Sequence, residues 1–119
     1  MTNIVSAEMV LGAETRPTVE VEMPEWGGAV IIRAFSKAQY IAMQKAAGFN
    51  SSGEDGDLAA FQKQMFMHGV EDPKFSQEQV DALFESQGGT TVDRVLVAIA
   101  DLNKLSEEEA KVTKAKFRK

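Results

Sequence analysis

The chain has 119 residues, is 44% apolar and 26% charged, and contains no cysteine. That size and balance suit one soluble domain with a core of its own, in a reducing compartment. They exclude disulfide staples and thiolate chemistry. The net charge of −5 is uneven: residues 1–110 hold 18 acids and 8 bases (−10), whereas residues 111–119, KVTKAKFRK, hold five bases and no acid (+5). The acidic body is expected to repel nucleic acid. The basic tail suits either a helix end whose lysines favour the macrodipole or contact with an acidic partner.

Residues 1–17, MTNIVSAEMVLGAETRP, show no clear period and read as a partly mobile N-terminal segment. They have neither a basic start nor a long apolar run, so neither a signal peptide nor a membrane span is expected. Residues 18–119 then read as one domain. TVEVEM alternates, with Val19, Val21 and Met23 on one side and Glu20 and Glu22 on the other, which predicts a half-buried strand. Pro24 ends it, and Gly27-Gly28 offers positive φ before AVIIRAF, a second strand. Its continuous apolar run, Ala29 to Ile32, suggests cover on both faces. Together they form a predicted hairpin over 18–35.

Three helix starts share a signature. Ser36 is followed by Gln39, Ser76 by Gln79 and Ser106 by Glu109, each serine preceded by an apolar residue. This is the capping box with its hydrophobic staple. Predicted helices run over 37–47, 57–68, 77–86, 91–103 and 107–117. The second carries Leu58, Phe61 and Met65 on one face, with Gly69 as a left-handed cap. The fourth has the cleanest period, Val92, Val95, Leu96, Ile99 and Leu102, and is expected to be the central core helix. The fifth has few apolar residues and is the element best suited to move or dock. VEDPKF reads as a turn. The predicted fold is α+β, mainly α: a hairpin packed on a bundle of about four to five short helices.

The parts for catalysis are missing. His68 is the only histidine and sits at a predicted helix end, where it would meet the last carbonyls. Without a second histidine or a cysteine, a zinc site or a nucleophilic triad has no components. WGG lacks the spacing of a dinucleotide loop, and no lysine follows a glycine-rich loop as in a P-loop. SSGEDGDLAAFQ offers Ser51 and Gly53 where calcium ligands belong and Gln62 where a bidentate Glu belongs, so it reads as a linker. A helix-turn-helix is poorly supported, because the fourth predicted helix has only Arg94 as a base, beside Asp93 and Asp101. No enzyme activity, metal or cofactor is therefore expected.

Trp26, the only tryptophan, lies on the predicted turn. It either folds back onto the first predicted helix or stands exposed as an interface anchor, where Trp is enriched. Met65 and Met67, beside Phe61 and Phe66, would form either core or an adaptable apolar surface. Phe66 falls off the predicted helix's main stripe. With Phe117, Lys114 and Lys116 of the tail, Trp26 and Phe66 make the candidate protein-binding set.

The order of these features resembles the tail assembly chaperones of long-tailed bacteriophages, the XkdN-like group and its relatives. The matching positions are the Pro24-x-Trp26-Gly27 turn, Arg33 before the Ser36 cap, the Asp72-Pro73-x-Phe75-Ser76 helix entry and Leu102-x-x-Leu105-Ser106, over roughly 18–117. Each motif is also a generic cap or turn; their order carries the resemblance. It implies a non-enzymatic protein of the host cytoplasm that keeps the largely helical tape-measure protein soluble during tail morphogenesis and is absent from the mature virion. Some members have a longer, frameshifted form whose extra domain recruits tail-tube subunits; this chain would correspond to the short form. The alternatives are a virion structural protein, such as a tail or head–tail connector component, and a small DNA-binding regulator.

Overall fold

A computed structural model describes residues 4–49 and 56–104. The fold is α+β and mainly α, with the elements in the order α1 (Ala7–Gly12), β1 (Thr18–Met23), a 3-10 turn (Pro24–Trp26), β2 (Gly28–Arg33), α2 (Lys37–Ala46), α3 (Leu58–Gly69), β3 (Val70–Asp72), α4 (Gln77–Ser86) and α5 (Gly89–Leu102). The tail expectations, including the Ser106 capping box, the fifth predicted helix, Lys114, Lys116 and Phe117, fall outside the described residues.

The hairpin forms with β1 and β2 antiparallel, in a register running from Thr18 opposite Arg33 to Met23 opposite Gly28. Facing residues share a side of the sheet, so Val19, Val21 and Met23 join Val30 and Ile32 on the core side. Gly27 has φ +80 at the turn, whereas Gly28 has no positive φ and begins the strand. The apolar run of β2 is covered unevenly: Val30 and Ile32 are buried, Ile31 is half-buried and Ala29 is exposed.

VEDPKF departs from its expected role as a simple turn. Its first three residues form β3, antiparallel to β2, with Ile31 opposite Asp72, Ile32 opposite Val70 and a register shift between them. Three residues are too few to show a period, and this pairing is set by α3 delivering Val70 into the core. The N-terminal segment also differs, because residues 7–12 form a helix capped by Ser6, whose Oγ accepts from the Met9 N–H. None of its residues is buried; Ile4 is 94% and Leu11 85% exposed.

The segment after α1 is tied down by two arginines. Arg16 donates to the Ala34 carbonyl (2.9 Å) and to Gln39 Oε1 (2.8 Å), and Arg33 donates to the Arg16 carbonyl (3.3 Å) and pairs with Glu14. Gln39 Oε1 also accepts from the Ser36 N–H, completing the first capping box; Ser76 and Gln79 complete the second. Those local signals placed α2 and α4 correctly.

The core gathers between the sheet's inner face and the helices. It includes Met23, Val30, Ile32, Met43, Met65, Phe66, Val70, Val80 and the α5 stripe Val92, Val95, Leu96 and Ile99. No described polar or charged residue is buried. As expected from its period, α5 lies against both α3 and the sheet. Gly69 has a different role from the one predicted. It is the last residue of α3 without a left-handed conformation, and a Cβ there would lie 2.7 Å from Ile99 Cδ1. Glycine is needed because α5 approaches the α3 backbone closely. Leu58 is 53% exposed rather than core. Asn103 closes α5 by accepting from the Phe35 N–H and donating to the Ile99 carbonyl, both at 2.8 Å. Among the described residues no helix is long and apolar enough to cross a membrane.

Candidate functional site

Trp26 sits on the 3-10 turn, and α5 holds that turn in place. Arg94 donates two hydrogen bonds to the Glu25 carboxylate, at 2.6 and 2.8 Å, in the forked geometry that guanidinium and carboxylate favour. The pairing lowers the Glu25 pKa through those hydrogen bonds first and raises that of Arg94. Arg94, the only base on α5, is therefore engaged by a carboxylate of the same chain.

The Trp26 ring does not lie on α2. It packs edge to face with Phe66 of α3 at a 6.4 Å centroid separation and 74°, and its indole N–H donates to Gln87 Oε1 at 2.9 Å. Trp26 is half-buried, supported by Phe66 and with its polar atom satisfied. Phe66 is corrected from a surface candidate to core. It is 0% exposed and also contacts Phe75 (5.4 Å) and Phe84 (6.1 Å), so it buttresses three aromatic neighbours and offers nothing to a partner directly. The apolar stripe of α3 is wider than Leu58, Phe61 and Met65, because sheet and helices cover α3 on more than one side.

Beside Trp26 lies an open groove of about 450 Å³ with predominantly apolar walls. One wall is Met23 and residues 28–30 of β2; the other is Pro73, Phe75 and the α4 face formed by Gln79, Ala82, Leu83 and Ser86; Trp26 and Gln87 close one end. The spacing 79, 82, 83, 86 is one face of a helix, and the Ser76 capping box fixes where that helix begins.

The groove exists because β3 is short. β2 pairs with β1 along its whole length, but β3 pairs only with Ile31 and Ile32. Among the described residues, the second edge of residues 28–30 therefore has no strand paired to it, and these three residues line the groove. Successive residues of a strand turn their N–H and C=O groups to opposite edges, so this stretch leaves backbone groups without a ladder partner on its second edge. The segments that supply all the walls, 18–33 and 70–87, carry eight acids and two bases. Nearby, Lys63 pairs with Asp81, lowering the Asp81 pKa, and Lys74 pairs with Glu71. No described cation pairs with Glu22, Glu78 or Glu85.

The remaining candidates lie elsewhere. His68 is partly buried, and its pKa is lowered by burial first and then by Lys74; among the described residues its ring makes no hydrogen bond, so it does not meet the last carbonyls of α3. Arg33 serves the N-terminal segment. Among the described residues no three His, Asp or Glu side chains converge on a metal position. Sequence reasoning missed the groove, whose walls come from distant segments. The alternation of small and apolar residues along α4, Ala82 and Leu83 between Gln79 and Ser86, was the one local hint.

No family model matches the chain, and no curated protein matches it. Among solved structures, the chain is similar to that of the bacteriophage HK97 tail assembly chaperone, with a TM-score of 0.48 and 20% identity over 80% of this chain and 94% of that one.

Proposed function

We propose that this chain is a tail assembly chaperone of a long-tailed bacteriophage that binds an apolar segment of the tape-measure protein and keeps it soluble until tail-tube subunits arrive. It works in the host cytoplasm, makes and breaks no bonds, and leaves before the virion matures. The observation that carries this proposal is the open apolar groove beside Trp26, set on an otherwise acidic body. The order of motifs from Pro24 to Ser106 supports the family. A tape-measure protein exposes a long apolar stripe before the tube encloses it, and a groove that seats a few apolar side chains matches that need. Each side chain that it buries contributes about 1.5–3 kcal/mol before the costs of ordering. A holder that must let go works through such moderate contacts.

Co-expression with the tape-measure protein of the same genome tests this. The expected result is a soluble complex that Trp26→Ala weakens while the chain stays folded by circular dichroism. An insoluble tape-measure protein in the presence of the wild-type chain would refute it. Finding the chain in many copies in purified virions would instead favour a structural tail component.

A further inference from the structure

We propose that the groove selects its client by charge as well as by apolarity: it takes an amphipathic helix with two basic side chains, seven residues apart, along one flank of its apolar stripe, and Glu78 and Glu85 of α4 receive them. The inference rests on the reading of the groove as the client site and adds the chemistry of the client.

The first observation is how α4 sorts its acids. Asp81 turns toward α3, where Lys63 pairs with it at 3.2 Å, and Gln77 donates to it at 3.1 Å. Glu25 and Glu71, in the other segments that supply the walls, are likewise paired, with Arg94 and Lys74. Glu78 and Glu85 are exposed and, among the described residues, have no cation beside them. Ala82, which lines the groove, is four residues after Glu78 and three before Glu85, so the three share one ridge of the helix. Val80, on the far side of α4, is buried in the core. The two carboxylates therefore border the groove on its solvent side, Glu85 toward the end that Trp26 and Gln87 close and Glu78 toward Pro73.

The second observation is spacing. Seven residues are two turns, so the carboxylates stand about 10.5 Å apart along α4. A helix laid beside α4 rises at the same rate, and its own positions i and i+7 meet both carboxylates in step. An extended segment repeats on one side about every 6.7 Å and falls out of step. The third is size. Two turns of a helix about 10 Å across occupy about 850 Å³, whereas the groove holds about 450 Å³. It admits one stripe of such a helix, which packs on Ala82, Leu83 and Trp26, while the bases on the flank stay at the wet rim. This is recognition of a helix in a groove. The exposed pairs add modest affinity; their larger effect is to turn away acidic segments.

Trp26 is the only tryptophan and lines the groove, so its fluorescence reports occupancy in the full chain. Three synthetic helical peptides without tryptophan, about 18 residues long and sharing one leucine stripe, would be titrated. One carries lysines seven apart beside the stripe, one carries glutamates there, and one has its second lysine moved two residues, to the far side of the helix. At low salt the wild type should bind the first about tenfold more tightly than the other two, and high salt should narrow that margin. Glu78→Lys/Glu85→Lys should reverse the ranking of the lysine and glutamate peptides, and Glu78→Gln/Glu85→Gln should level it. Glu8→Lys/Asp101→Lys, which changes net charge as much at exposed positions outside the groove, should preserve it. Equal binding of all three peptides by the wild type, binding of none, or an unchanged ranking in Glu78→Lys/Glu85→Lys would overturn the proposal. Co-expression with the tape-measure protein separates this proposal from the client reading. If the wild type and Glu78→Lys/Glu85→Lys keep that protein soluble equally well, the client reading stands and selection by charge falls.

Discussion

The two halves of β2 have the same neighbour on one side and different ones on the other. Ile31 and Ile32 are flanked by both β1 and β3, and Ile32 is fully buried beneath the helices. Residues 28–30 are paired with β1 alone and line an open apolar groove. The difference comes from where β3 stops. It ends at Asp72, the chain leaves the sheet at Pro73, and α4 is set back by the width of the groove. A closed end supplies the stability, and an open end keeps backbone and aromatic surface available. Phe66 belongs to both, buried in the first and supporting Trp26 in the second.

Four substitutions break or sharpen this comparison. Phe66→Ala should remove the shared buttress and destabilise the fold by about 3–5 kcal/mol in chemical denaturation, emptying the closed end and loosening Trp26 at the open one. A loss confined to client binding would show that Phe66 is not the support described. Gly69→Ala acts on the closed end only, forcing a Cβ into Ile99 at a cost of about 1–3 kcal/mol, with Trp26 fluorescence unchanged.

Glu25→Gln acts on the brace of the open end. The Glu25 pKa is lowered in the fold, so its pairing stabilises the native state fully above the ordinary carboxylate range, and that contribution disappears as the pH falls through the lowered folded value. The wild type and Glu25→Gln should therefore differ in Tm at neutral pH and converge in acid. A difference that persists there would mean the brace is not ionic. The smallest effect belongs to Ala82→Glu, an exposed helix position in the groove, where stability should stay within about 0.5 kcal/mol.

What the sequence revealed followed the range of the interaction. The Ser36 and Ser76 capping boxes are complete within four residues, and their helices start where expected. The α5 stripe repeats often enough to identify the core helix. β3 and α1 are too short for a period to form. Gly69 was legible as a required glycine but not as to its reason, because a left-handed cap and a close helix approach both ask for one. Trp26 was legible as a residue out of place on a turn. Its support by Phe66, its bond to Gln87 and the groove beside it all depend on distant segments meeting, which no local pattern encodes.

The central claim is that client binding belongs to the groove and not to the exposed apolar residues of α1. Co-expression of the tape-measure protein with Ala82→Glu and with Leu11→Glu separates the two, since both positions are exposed and neither belongs to the core. The account predicts that Ala82→Glu loses the soluble complex at an unchanged Tm while Leu11→Glu retains it. A complex kept by Ala82→Glu and lost by Leu11→Glu would contradict it.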